Sequence, residues 1–383
     1  MKPLIYLDHA ATTPLRPEVA DEMRCAQDAA GYNPSSLHAF GRRARGLLDN
    51  CRDRVAAQLG ANRTEVIFNS GGTESINQAL LGIAARSRRP AHVVASAIEH
   101  RAVLATLDYL SDEGCEVTLV PVEADGVLNP QRFADALRPN TRLASVMYAN
   151  NEIGSIQPVA ELAAIARGRG VAVHTDAVQA PCWLPLAVDA LGVDLLSLSA
   201  HKFGGPKGVG ALYCRKSVGL MPLIHGGGQE FGRRAGTENV LGIAGMAAAL
   251  ELAAEERGAA AARTAELRDW LEAQTLCSID GARVNGTGKR LPNILNLSFD
   301  AVESDELLMQ LDLAGIAASA GSACASGALQ SSHVLAALGL PLRWQRGAVR
   351  FSLGPQTTRA DVERVADVLP KIIADLRVHA PAA

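Results

Sequence analysis

The stretch VAVHTDAVQAPCWLPLAVDALGVDLLSLSAHKFGGPKGVGALYC, residues 171–214, holds three strand-like runs: VAVHTD (171–176), DLLSLSA (194–200) and GALYC (210–214). Their nearly continuous apolar character is that of strands buried on both faces, as in a mostly parallel sheet. Upstream, EVIFN (65–69), HVVASAI (92–98), EVTLVPV (116–122) and LASVMYA (143–149) repeat the signature. Helical patterns at 73–86, 100–113 and 159–168 separate them. Strands alternating with helices predict an α/β domain, here with seven strands and helices on both faces.

After HGGGQEFGRRAGTEN (225–239) the pattern changes. An Ala/Glu/Leu-rich stretch from 240 to about 275 predicts one long helix or two. NILNLSF (293–299) reads as a strand, 304–313 and 359–377 as helices, and 318–328 as a loop of small residues. This part is expected to form a smaller α+β domain. The expected division is a large domain over 16–257 and a small one built from 1–15 and 258–383.

Composition narrows the function. The 383 residues carry 37 Lys+Arg against 40 Asp+Glu, a net charge of −3, which speaks against a nucleic-acid partner. Arginine clusters at Arg42, Arg43 and Arg45 and at Arg86, Arg88 and Arg89 have no interleaved aromatics and read as solvated helix faces. No apolar run reaches the roughly 18 residues of a membrane span, and the start MKPLIYLDHAATTP has no signal-peptide pattern. The seven cysteines are odd in number, scattered and without C-x-x-C, so neither a disulfide framework nor a resident metal site is expected. A reducing cytoplasm is the expected compartment.

The chemistry starts at strand ends, where ligands of open α/β sheets bind. HTDAVQ (174–179) and SLSAHKFGGPKG (197–208) place Asp176, Gln179, Ser199, His201 and Lys202 on one rim. A lysine can hold a carbonyl cofactor as a Schiff base. Pyridoxal phosphate then acts as an electron sink if a carboxylate keeps its ring nitrogen protonated, the role Asp176 fits. Gln179 can donate to the ring's phenolic oxygen. NSGGTES (69–75) opens a helix after a strand, so Gly72 and Thr73 offer donors to the phosphate at a positive helix end, with Ser199 and His201 completing the cradle. His100 closes another strand end, where an imidazole can stack on the ring and move protons near neutral pH.

These residues, with YLDHAATTP (6–14), FNSGGTESIN (68–77), EHRAVL (99–104), YANNEIGSIQP (148–158), SAHKFGGPKGVGALY (199–213), HGGGQEFGRRAGTENV (225–240), SAGSACASG (319–327) and VRFSLG (349–354), span nearly the whole chain in order. The chain resembles the cysteine desulfurases of the NifS/IscS type, in the class V aminotransferase group of fold-type I pyridoxal-phosphate enzymes. The resemblance implies that Lys202 holds the cofactor and removes the α-proton of L-cysteine. It implies that Asp176 pairs with the pyridine nitrogen, Gln179 with the phenolic oxygen, and His100 stacks on the ring. Gly72, Thr73, Ser199 and His201 would bind phosphate. Thr237 would reach the phosphate of a neighbouring subunit's cofactor, which implies a homodimer. Asn151 and Arg350 would hold the substrate carboxylate, which a planar guanidinium binds bidentately.

Cys324, among Ser, Ala and Gly, would attack the substrate sulfur as a thiolate, with His100 and the cofactor helping to take its proton, become a persulfide and pass sulfur to an iron–sulfur scaffold or another acceptor protein. The resemblance also allows Cys324 a transient iron–sulfur ligand role shared with a scaffold. Two departures bear on the acceptor: Gln330, Ser331 and Ser332 replace the family's acidic residue and proline, and Phe231 stands where many relatives carry Arg. Competing readings are selenocysteine lyase and an aminotransferase. Cys324 argues against the aminotransferase, and Lys202 with Cys324 argues against a silent scaffold. A Rossmann-type nucleotide module lacks its glycine fingerprint.

Overall fold

In the computed structural model, residues 4–86, 91–321 and 332–379 are described. In chain order the first half runs β1 (Ile5–Tyr6), α1 (Pro17–Ala30), α2 (Ala39–Leu59), β2 (Val66–Asn69), α3 (Gly72–Ala84), β3 (His92–Ser96), α4 (Arg101–Asp112), β4 (Glu116–Val120), α5 (Pro130–Ala136), β5 (Thr141–Ser145), α6 (Val159–Arg167) and β6 (Ala172–Asp176). The second half runs α7 (Val188–Leu191), β7 (Leu195–Ser199), β8 (Gly210–Cys214), α8 (Val240–Ser278), β9 (Ala282–Val284), β10 (Ile294–Phe299), α9 (Ser304–Leu313), β11 (Ile316–Ala317), α10 (His333–Ala337), α11 (Leu342–Arg346), β12 (Ala348–Ser352) and α12 (Arg359–His379).

The large sheet has seven strands in the order β2-β8-β7-β6-β5-β3-β4. Only β8 runs antiparallel to its neighbours; the other pairings are parallel. Alternation sends successive residues to opposite faces. Ile67, Val93, Leu195 and Leu212 meet α3 and α4, whereas Phe68, Val94, Leu196 and Ala211 meet Leu48 of α2, Leu162 of α6 and Met246 of α8. That two-sided burial is why these runs read as continuously apolar.

Several expected strands are shorter in the fold. The runs 92–98 and 143–149 leave the ladder at Ser96 and Ser145. Their apolar tails are buried wall around the site rather than strand. The Ala-rich stretch is a single 39-residue helix. Its Met246 and Leu250 pack into the large sheet's core. Its Leu267 and Leu271 join a second core with Ile5, Leu7, Leu297, Phe351 and Leu369. That second core holds the antiparallel sheet β12-β10-β9 and the parallel pair β1–β11, so the chain's first residues lie against its last third. Among the described residues no helix is long and apolar enough to cross a membrane.

One buried ion pair ties α2 to the glycine-rich segment. Both Arg52 Nη atoms donate to the Glu230 carboxylate at 2.6 and 2.7 Å, with side chains 2% and 1% exposed. Glu230 also accepts the Phe68 N–H at 2.9 Å, and Glu230 and Phe231 both hold left-handed φ values, 47° and 58°. Arg52→Met strands the carboxylate in the core. Removing one partner of a buried pair costs about 3–5 kcal/mol, so chemical denaturation should show a loss of that order. A loss below about 1 kcal/mol would place this pair among the dispensable ones.

Candidate active site

The parallel strands deliver their carboxyl ends to one rim. Asp176 closes β6, Ser199 closes β7, His100 follows β3, and Gly71–Thr73 follow β2. They surround a cavity of about 590 Å³ lined by Gly72, Thr73, His100, Asn151, Asp176, Gln179, Ser199, His201, Lys202 and Arg350, among others. Every expected site residue is therefore brought together except two. Cys324 lies outside the described residues, as do Gln330 and Ser331. Thr237 is exposed and lies off the cavity.

Lys202 sits in a short turn, Ala200–Lys202, directly after β7. Its Nζ donates to the carbonyls of Ala10 (2.6 Å) and Ala11 (2.8 Å), and Gln179 Nε2 donates to the Ala10 carbonyl at 3.0 Å. The N-terminal segment is thus one wall of the site. Thr12 Oγ1 lies 3.0 Å from His201 Nδ1, and Thr13 Oγ1 bridges the His201 carbonyl (2.8 Å) and the Gly204 N–H (2.7 Å). Small side chains let this strap approach closely, and the run AATT was the available sign of it.

The electrostatics favour a cationic ring beside Asp176. The carboxyl accepts the Val178 N–H at 2.9 Å. Burial raises its pKa, opposed by His100 and Lys202. A protonated ring nitrogen would supply the missing countercharge. The imidazoles stay neutral instead. Burial lowers the pKa of His100, with Asp176 acting the other way and Lys202 and His333 adding to the fall. His201 is lowered to about 4 by burial, then by Lys202 and Lys207.

An anion fits the opposite end. Gly71, at φ +150°, caps the 13-residue α3 and leaves the helix N-terminus facing the cavity. A Cβ on Gly72 would stand 2.9 Å from Val178 Cγ2, so only glycine lets the backbone come this close. Glu74 fixes the turn by accepting the Ser70 N–H (2.9 Å) and pairing with Arg234 (2.9 Å). The buried carboxyl, the lysine and the glycine cradle match the ring nitrogen, carbonyl and phosphate of pyridoxal phosphate.

At the substrate end, Arg350 of β12 is buried. Its Nη2 pairs with Asp8 at 2.7 Å, its Nη1 donates to the carbonyls of Asn151 (2.7 Å) and Gly321 (3.3 Å), and its buried Nε has no partner among the described residues. Glu152 accepts the Ser332 hydroxyl at 2.5 Å. Gly321 and Ser332, which flank the segment carrying Cys324, both line the cavity. Phe231, noted as a departure, lies under the guanidinium groups of Arg52 (5.0 Å) and Arg233 (5.4 Å).

Four residues escaped the sequence reading: Asp8, Glu99, Glu152 and His333. Glu99 is fully buried, accepts Ser96 Oγ (2.6 Å) and the Met147 N–H (2.8 Å), and is pushed up to about 8 by burial. Its only sign was a charge beside His100 at a strand end. His333 Nε2 reaches the Glu99 carbonyl at 2.9 Å. Nothing in the local sequence marked it.

Comparison with known proteins agrees with this geometry. The family described as Aminotransferase class-V matches residues 5–365. A curated relative from Dictyoglomus turgidum, named cysteine desulfurase IscS, is 48% identical over 383 residues, all of this chain and 97% of the relative. A solved NifS-like protein superposes with a TM-score of 0.91 at 38% identity, over 97% of this chain and 100% of that one. A structure titled SspA in complex with cysteine superposes with a TM-score of 0.81 at 34% identity, over 92% and 100%.

Proposed function

The chain belongs to the class-V aminotransferase family, and from that premise we infer that it is a cysteine desulfurase, a pyridoxal-phosphate enzyme acting on L-cysteine. The observation that carries this reading is the cavity joining Lys202, Asp176, the glycine cradle and Arg350. Pyridoxal phosphate, when bound, supplies a sink for the electron pair left at the substrate's α-carbon.

The chain's own residues do the rest. Lys202 Nζ would hold the cofactor and then take the α-proton. Asp176 would keep the ring nitrogen protonated, Gln179 would donate to the phenolic oxygen, and His100 would help hold the ring. Gly72, Thr73, Ser199 and His201 would hold the phosphate, and Thr237 of a second copy would complete that cradle in a homodimer. Its exposure supports this reading. Asn151 and Arg350 orient the substrate carboxylate; the unpartnered Nε of Arg350 supports the assignment. Cys324 attacks the substrate sulfur. The balance is L-cysteine plus enzyme thiol giving L-alanine plus enzyme persulfide, which passes sulfur to an iron–sulfur scaffold or another acceptor protein.

Six described cysteines carry no disulfide, which supports a reducing cytoplasm. The test is direct. Purified enzyme loaded with pyridoxal phosphate should form alanine from L-cysteine, with one sulfide released per alanine when a reducing thiol is present. Cysteine consumed only when a keto acid is added, without sulfide, would instead mean transamination.

A further inference from the structure

Two imidazoles on the cavity wall, His100 and His333, have partners that set opposite tautomers. His100 Nδ1 accepts the Ala102 N–H at 3.1 Å. An accepting nitrogen presents its lone pair, so the neutral ring carries its hydrogen on Nε2. His333 Nε2 lies 2.9 Å from the Glu99 carbonyl. A carbonyl only accepts, so here the hydrogen is on Nε2 and Nδ1 keeps the lone pair; both tautomers are assigned from these partners. No described residue hydrogen-bonds His333 Nδ1, and the ring is only half-buried. Of the three imidazoles lining the cavity, His100 is thus committed to donating and His333 to accepting.

We propose that His333 is the proton acceptor for the thiol that attacks the substrate's sulfur. The assignment rests on the desulfurase reading and deepens it. Across the reaction the enzyme's thiol loses its hydrogen, and the methyl group of alanine carries one more than the methylene it came from. That proton needs a holder in between. The S–H bond breaks, an N–H bond forms on Nδ1, and the ring becomes a cation. It is neutral again once the proton has gone to the alanine methyl. The Glu99 carbonyl, already bonded to Nε2, strengthens that bond when the ring is charged. His333 is also well placed in the chain: it directly follows Ser332, which closes the segment that carries the thiol.

The titratable and charged groups that line the cavity with His333 are His100, Arg101, Glu152, Asp176, His201, Lys202 and Arg350, and Glu99 meets it through its backbone carbonyl. On the neighbouring α11, Arg343 and Arg346 pair instead with Asp300 and Glu303 at 4.0 and 3.8 Å.

The decisive variant is His333→Gln in the loaded enzyme. Its amide retains a donor for the Glu99 carbonyl but offers no basic lone pair. Cofactor loading and KM for cysteine should be near wild type, while kcat at about pH 7 falls about 100-fold, the scale of one general base. The deficit should close as pH rises towards about 9, because the thiol then ionises unaided. A merely structural role predicts a deficit that is the same at every pH, and that result, or no deficit, overturns the proposal. If wild type makes no alanine, the desulfurase reading fails and takes this one with it; an active wild type with an unaffected variant sinks this one alone. Should the glutamine variant lose its cofactor, His333→Ala is assayed with and without imidazole. A rise in rate supports the proposal, and no rise overturns it.

Discussion

Lys202→Ala should abolish alanine formation, by at least about 1,000-fold, the scale of losing both a covalent anchor and a general base. The same substitution should remove the visible absorbance of cofactor held on lysine. The two losses have one origin. Lys202 Nζ is fixed by the Ala10 and Ala11 carbonyls at 2.6 and 2.8 Å, on the rim shared with Asp176 and the glycine cradle. Among the described residues no other lysine lines the main cavity; Lys207 stands at the phosphate end, among Ser70, Thr73 and Gly208. Lys202→Arg is the sharper control, since it keeps the charge and the donors but cannot form the covalent link. A variant that retained the visible band would remove Lys202 from its anchoring role, and with it the reading of HTDAVQ and SLSAHK as one site.

Much of this was legible because it is local. Parallel strands buried on both faces announce themselves as short apolar runs, and ligands of such sheets bind at the strand ends. Asp176, Ser199, Lys202 and Gly72 could thus be placed on one rim before any coordinates. The arginines 42, 43 and 45 lie exposed on α2, as solvated charges do. The misses are long-range. Asp8 meets Arg350 across 342 positions of chain, and the carbonyls of Ala10 and Ala11 reach Lys202 across 192 and 191. Backbone groups carry no sequence signature, so a strap that works through its carbonyls is unreadable except by its small residues. Glu99 was missed for another reason. A buried carboxyl and a solvated one are the same letter, and only the closed surroundings of Ser96 and Met147 tell them apart. Helices α1 and α2 went unassigned because their apolar stripes are thin, broken by Arg, Asp and Glu at most turns.

Cys324→Ser should separate what Lys202→Ala abolishes together. The cofactor stays bound, its visible band still shifts when cysteine is added, and alanine turnover falls by at least about 1,000-fold, as when a nucleophile is deleted. No persulfide should then be found on the protein. Transamination needs no thiol, so an aminotransferase would run unchanged in this variant. Cys324 lies outside the described residues, but the alternatives within them are poor. None of the six described cysteines lines the cavity. Burial pushes the thiols of Cys51 and Cys214 up to about 11 and that of Cys182 up to about 12, which leaves too little thiolate to attack. Cys25 and Cys277 are exposed but off the cavity, and Cys115 immediately precedes the β4 edge strand. Gly321 and Ser332, which bracket the sequence that holds Cys324, both line the cavity. Full alanine turnover in Cys324→Ser would therefore require sulfur to leave without any protein thiol, and the reaction would belong to a lyase.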